Sequence, residues 1–190
     1  MHDPGDSTPS STAADDAGAA EAEPPERLSL AVLGEAGDWS AIGSHEQAIA
    51  AAAAALARHP RCASARGAEV CIVLADDALL RSLNRSYRDK DAPTNVLSFP
   101  FQSPPGSGEV RHLGDVLLAA ETVRKEAAER GIPPVHHVQH LVVHGLLHLL
   151  GFDHDTDADA DAMECLEAQI LATLGIADPY AVAEGGVSVP

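Results

Sequence analysis

The run His144-Gly145-Leu146-Leu147-His148-Leu149-Leu150-Gly151-Phe152-Asp153-His154 restricts what this chain can fold into more than any other segment. Six of the ten histidines fall between His136 and His154. His144 and His148, four residues apart, project from one face of a helix, so both imidazoles can converge on one ion. Gly151 then lets the chain leave the helix through a turn of positive φ, and three residues later His154 can swing back as a third ligand. Three neutral imidazoles leave a tetrahedral Zn²⁺ with one open position. That is the arrangement of a catalytic site, because a structural site is normally closed by a fourth protein ligand. Cys62, Cys71 and Cys165 are widely spaced with no CxxC pair, so neither a disulfide framework nor a thiolate zinc site is indicated, and small buried thiols are expected.

The spacing is similar to that of metzincin proteases, His-Glu-x-x-His-x-x-Gly-x-x-His, with one decisive departure. Where the protease carries the Glu that serves as general base for the zinc-bound water, this chain has Gly145. Peptidase chemistry by that route is disfavoured. A metal site without that Glu still suits an anionic substrate that needs charge neutralisation more than proton abstraction, which points to phosphodiesters. His136 and His140 extend the stripe, but each four-residue step turns about 40° around the axis. His136 thus points away from His148, and roles behind the ligands, toward substrate or toward solvent are expected for both. Asp153 and Asp155 flank His154 and serve equally well to orient imidazole N–H groups or as a solvated acidic loop. The alternating acids from Asp153 to Asp161 do not make a calcium loop: Ala158 stands where the sharp turn requires Gly, and acids entering a helix N-terminus account for them.

With 190 residues the chain suits one domain. Residues 1–26 contain no Val, Ile, Leu or Phe and are expected to form a disordered acidic tail. Seven of the 29 acidic residues and none of the 12 basic ones lie there, so the remainder still carries about −10 of the formal −17. The body spans 27–180, and 181–190 is expected to be a flexible C-terminal tail. Apolar periodicity and turn residues predict strands over Leu28–Gly34, Glu69–Leu74, Asn95–Phe101 and Leu113–Leu118. Helices are predicted over His45–Arg58, from Asp76 and Asp77 through Tyr87, over Ala119–Arg130, from Pro133 and Pro134 to Leu150, and over Asp159–Leu174. A turn-rich loop occupies 102–110, and no internal repeat supports a solenoid or propeller. No stretch reaches the roughly 18 consecutive apolar residues of a membrane span, and the acidic N-terminus has the wrong sign for a targeting segment. A soluble, cytoplasmic protein with no membrane partner is expected.

Arg81, Arg85, Arg88 and Lys90 concentrate four of the twelve basic residues within ten positions. Arg81, Arg85 and Arg88 share a helical stripe, which serves either a polyanion or an ordinary solvated helix face; the residues alone do not choose. Aromatics are only 3% of the chain, so stacking platforms for bases are scarce, and nucleic-acid binding would rest on this local positive charge.

The segment Leu83-Asn84-Arg85-Ser86-Tyr87-Arg88-Asp89-Lys90-Asp91-Ala92-Pro93-Thr94-Asn95-Val96-Leu97-Ser98-Phe99-Pro100, then Leu113-Gly114-Asp115, then the histidine run, together resemble the YbeY family of bacterial rRNA maturation factors. The likeness spans roughly Leu28–Tyr180 with three motifs in order. It implies a single-domain α+β fold: a mixed sheet of about four strands packed with about five helices, the zinc site on a central helix and the following loop. It further implies one Zn²⁺ per chain on His144, His148 and His154, and single-strand-specific endoribonuclease activity in rRNA (16S 3′-end) maturation and ribosome quality control. Arg88 is then functionally required, and rRNA precursors and small-subunit components are the partners. Two departures are mild: Phe152 replaces the usual Tyr, and Ala92 often Lys, the second removing one positive charge near the RNA path.

On this reading Arg88 stabilises charge on the phosphorane-like transition state, with Arg81, Arg85 and Lys90 as RNA contacts. Gly145 leaves no obvious general base; an RNA 2′-hydroxyl, a second metal-bound water or Asp115 fills that role. Asp115, His140, Asp153 and Asp155 are the remaining candidates behind the ligands or at the substrate. A ribosome-assembly module with zinc as a structural clip, or a metal-dependent hydrolase of another substrate, are the rival readings.

Overall fold

The computed structural model describes residues 27–101 and 110–181. Four strands form one sheet in the order β1-β2-β4-β3: β1 (Ser29–Gly34), β2 (Glu69–Ala75), β3 (Val96–Pro100) and β4 (His112–Ala119). β1, β2 and β4 run parallel, and β3 joins the edge antiparallel to β4 with Ser98 opposite Val116. Five α-helices, α1 (His45–Arg58), α2 (Asp77–Arg88), α3 (Ala120–Arg130), α4 (Pro134–Leu149) and α5 (Asp157–Ala172), complete the expected α+β domain. Two short 3-10 turns, Ser40–Ile42 and Pro60–Ala65, were not legible from periodicity. The readings of 1–26, of the loop at 102–109 and of the tail at 182–190 lie outside the described residues.

Strand alternation sorts the side chains onto two faces. Val70, Ile72, Leu74, Val116 and Leu118 join the main core beneath α1, α4 and α5, whose residues Ile49, Leu56, Val142, Leu146, Leu166 and Ile170 are fully buried. Leu97 and Leu117 face the other way and pack with Leu80 of α2 in a smaller cluster. Alanines make α1 thin enough to bury Ala48, Ala52, Ala53, Ala55 and Ala57 together.

Local chemistry sets the helix ends. Asp76 caps α2, its Oδ1 accepting from the Leu79 N–H at 2.8 Å, and Thr156 caps α5 through the Asp159 N–H at 3.2 Å. That cap starts α5 at Asp157, two residues before the sequence reading, and the helix ends at Ala172 rather than Leu174. α4 begins at Pro134 and is closed by Gly151 at φ 91. The Gly151 N–H bonds the His148 carbonyl at 3.0 Å and the Phe152 N–H bonds that of Leu147 at 3.0 Å, the paired bonds of a Schellman cap. No helix among the described residues is long and apolar enough to cross a membrane.

Candidate metal centre and cleft

α4 holds His144 and His148 one turn apart, with ring centroids 4.6 Å from each other. The Schellman cap then reverses the chain, and His154 returns to within 5.0 Å of the His148 ring and 5.9 Å of the His144 ring. One nitrogen from each of the three lies within 4.8 Å of the other two. The His144 and His148 Nε2 atoms are 3.1 Å apart, close to the ~3.3 Å that two tetrahedral Zn–N bonds of about 2.0–2.1 Å impose. His144 and His148 are half-buried while His154 is exposed, so the cluster is closed by the protein on one side and open to a cleft on the other.

Glu167 stands behind the cluster with no exposed surface. Its Oε1 accepts from His144 Nδ1 at 2.8 Å and its Oε2 from His140 Nε2 at 2.9 Å, and the Tyr180 hydroxyl donates to Oε2 as well. Burial alone pushes this carboxyl up, but the hydrogen bonds from His140, His144 and Tyr180 outweigh it and hold its pKa at about 2. A permanent carboxylate on Nδ1 fixes the His144 tautomer, leaving the Nε2 lone pair facing His148 and His154. Burial, and after it the neighbouring His144 and His154, depress the His148 pKa, which favours a neutral imidazole. Asp153 Oδ1 accepts from the His154 N–H at 2.8 Å and lies 3.9 Å from His148 Nδ1.

The cleft in front of the cluster measures about 470 Å³ and is lined by Arg88, Thr94 and Ser98 opposite the three histidines. Arg88 reaches it from the last turn of α2, and Asn84, buried in the same helix, anchors the following loop by donating to the Ala92 carbonyl at 2.8 Å. Arg88 makes no ion pair or side-chain hydrogen bond among the described residues. Gly145 faces the sheet rather than the cleft: a Cβ there would stand 2.6 Å from Val116 Cγ1 and 3.0 Å from Ser98 Oγ. The position that bears a general base in metzincins is here a close-packing point between α4 and the β3–β4 pair.

The other sequence candidates separate. His140 touches Glu167 and not the cleft. Asp115 alternates with Val116 and faces the opposite side of the sheet, its nearest ionic neighbour being His112 at 3.8 Å. Asp155 is exposed and makes no side-chain bond among the described residues. Arg81 is engaged by Asp91 at 2.7 Å, while Arg85 and Lys90 are exposed without ion pairs among the described residues. His136 lines a neighbouring cavity instead of the cluster. Glu167 and Tyr180 went unnoticed in the sequence. Glu167 carried a signal, since it shares the apolar stripe of Met163, Leu166, Ile170 and Leu171 on α5.

Three ring nitrogens converging on one point, backed by a buried carboxylate and open toward a cleft that Arg88 lines, define an α+β protein with the geometry of a metal-binding site. Comparison with known proteins makes this specific. The family model described as Endoribonuclease YbeY matches residues 39–175. The Endoribonuclease YbeY of Azorhizobium caulinodans is 54% identical over 160 residues, which cover 83% of this chain and 100% of the relative. That of Parvibaculum lavamentivorans is 49% identical over 164 residues, covering 80% of this chain and 85% of the relative. The solution structure of a Thermotoga maritima protein aligns at a TM-score of 0.44 and 19% identity, over 80% of this chain and 99% of that one. The chain belongs to the YbeY family. It is an endoribonuclease, a nuclease that hydrolyses the phosphodiester bonds of RNA.

Proposed function

We propose that His144, His148 and His154 hold one Zn²⁺ and that the body at 27–180 is a zinc-dependent, single-strand-specific endoribonuclease. It acts in the cytoplasm on rRNA precursors, in 16S 3′-end maturation and ribosome quality control, with small-subunit components as partners. The observation that carries the metal assignment is the set of three imidazole nitrogens within 4.8 Å of one another, one of them fixed by a buried carboxylate. Three nitrogen donors without thiolate suit Zn²⁺, and the exposed side at His154 leaves a position for substrate, which a structural clip does not need.

When bound, the ion supplies Lewis-acid polarisation of a phosphoryl oxygen. The chain supplies the rest. Glu167 keeps His144 in the ligating tautomer, and Asp153 stiffens the turn that presents His154. Arg88, across the cleft and without an ion pair among the described residues, binds the scissile phosphate in a fork and neutralises charge that accumulates on it. Thr94 and Ser98 provide the hydroxyl-bearing wall against which the strand is positioned. Asp115, on the far face of the sheet, does not line the cleft.

Metal content of the purified chain, measured beside cleavage of a single-stranded RNA and its duplex form, tests this reading. One zinc per chain and cleavage confined to the single strand support it. Equal cleavage of both forms, or activity indifferent to metal, removes it.

A further inference from the structure

A second cavity, of about 610 Å³, opens beside the histidine cluster toward the N-terminal end of α4. It shares Asn95, Val96 and His144 with the cleft in front of the cluster, so the two cavities adjoin along α4 and the edge strand β3. His136, in the lining of the second cavity, and His148, in that of the cleft, are separated by about 18 Å of helix at 1.5 Å per residue. The second cavity does not include Arg88 in its lining.

The walls of this cavity are chemically mixed. Ile132 and Leu141 give it an apolar base, and His136 and Tyr180 contribute flat rings. Tyr180 is held in place by its hydroxyl on Glu167 and by an edge-on contact with His140 at 5.7 Å. The same carboxylate thus fixes a metal ligand and a cavity wall. Arg130, in the last turn of α3, brings a cation that makes no ion pair or side-chain hydrogen bond among the described residues. In a chain of formal charge −17 with two tyrosines, a ring and a cation without an ion pair among the described residues meet at a cavity that adjoins the cleft.

We propose that this cavity is a nucleoside subsite, receiving the base and ribose of a nucleotide that flanks the scissile phosphate. The base lies against His136 and Tyr180, and its phosphate faces Arg130. The volume falls in the range of small-ligand sites and admits one nucleoside but no duplex. A base can enter only when unstacked and unpaired, which supplies a physical reason for single-strand preference. The subsite rests on the RNA-cleaving reading of the adjoining cleft.

The test uses the full chain and a short single-stranded RNA with one cleavage site, alongside copies carrying an abasic ribose at each flanking position. Binding is measured by fluorescence anisotropy with chelator present, and cleavage separately with metal. Two variants are compared after their melting temperatures are shown to match the parent: Ala177→Trp, which plugs the mouth from an exposed position, and Arg130→Ala. For the parent, one abasic position should weaken binding about tenfold. Ala177→Trp should bind intact RNA about tenfold more weakly than the parent and lose that discrimination, and Arg130→Ala should bind several-fold more weakly with a shallower salt dependence. Parent-like binding of intact RNA by both variants, or no abasic-sensitive position, overturns the subsite. A parent that shows the abasic penalty but cuts no RNA keeps the subsite and removes the nuclease reading; one that cuts without the penalty does the reverse.

Discussion

His144 Nδ1 donates to Glu167 Oε1 at 2.8 Å, joining a ring of the three-histidine cluster on α4 to a fully buried carboxylate on α5. The two residues are 23 apart in sequence, so the bond also clamps the helices that frame the site.

Glu167→Gln keeps the volume but replaces a two-sided acceptor with an amide that accepts on one side only. Metal affinity, measured by competition with a chromophoric chelator, is expected to fall about 10- to 100-fold. Glu167→Ala also strands the His140 and Tyr180 donors and should cost about 3 kcal/mol or more in chemical unfolding. Unchanged affinity in Glu167→Gln would show that His144 needs no such partner.

The contact of Gly145 with Val116 predicts an unusual sign for a helix substitution. Ala is normally the better helix former by about 1 kcal/mol, yet a Cβ at 2.6 Å from Val116 Cγ1 should make Gly145→Ala destabilising by about 1–3 kcal/mol. Val116→Ala in the same chain should recover part of that loss. A neutral or stabilising Gly145→Ala would mean that α4 can lift from the sheet freely.

How much of this was legible in the sequence follows from where each signal resides. The three histidines and Gly151 are local: helical spacing plus one left-handed turn placed them without tertiary information, and α4 falls within a residue of its expected ends. Glu167 depends on the register of α5 against α4, which no spacing rule supplies, although a carboxylate on an otherwise apolar stripe marked it as partnered. Asp115 lies away from the cleft for the opposite reason. Its neighbours in sequence belong to the core, but strand alternation sends it to the α2 side. Arg81 and Arg88 share a helical stripe, and only the fold shows that Asp91 occupies the first while the second reaches the cleft.

Burial depresses the His137 pKa, against the smaller opposing pull of Glu126, and its Nδ1 is buried with no partner among the described residues. The neutral ring donates from Nε2 to Glu126 at 2.7 Å; protonation would strand an N–H at Nδ1. Because the folded pKa lies below the unfolded value of about 6.5, the unfolded chain takes up the proton first. Stability from this group is full above that pH and is lost as pH falls below it toward the folded pKa. Unfolding free energies between pH 7.5 and 5 should therefore decline less steeply for His137→Gln than for the parent; identical slopes would exclude His137 as a contributor.

Arg88→Ala should fold and hold metal as the parent does, while single-turnover cleavage falls about a hundredfold or more, as for the loss of a transition-state donor. Arg81→Ala, whose guanidinium is already engaged by Asp91, should change the saturated rate little. Equal rates for Arg88→Ala and the parent would take Arg88 out of the mechanism.

The most direct test of the metal centre is cleavage of a single-stranded RNA under single-turnover conditions by chain stripped with chelator and then titrated with Zn²⁺. Activity absent from the stripped protein, rising linearly and levelling at one equivalent per chain, with His154→Ala inactive across the same titration, is the predicted result. Cleavage at the parent rate by the stripped chain, or full recovery in His154→Ala, would contradict a catalytic metal held by His144, His148 and His154.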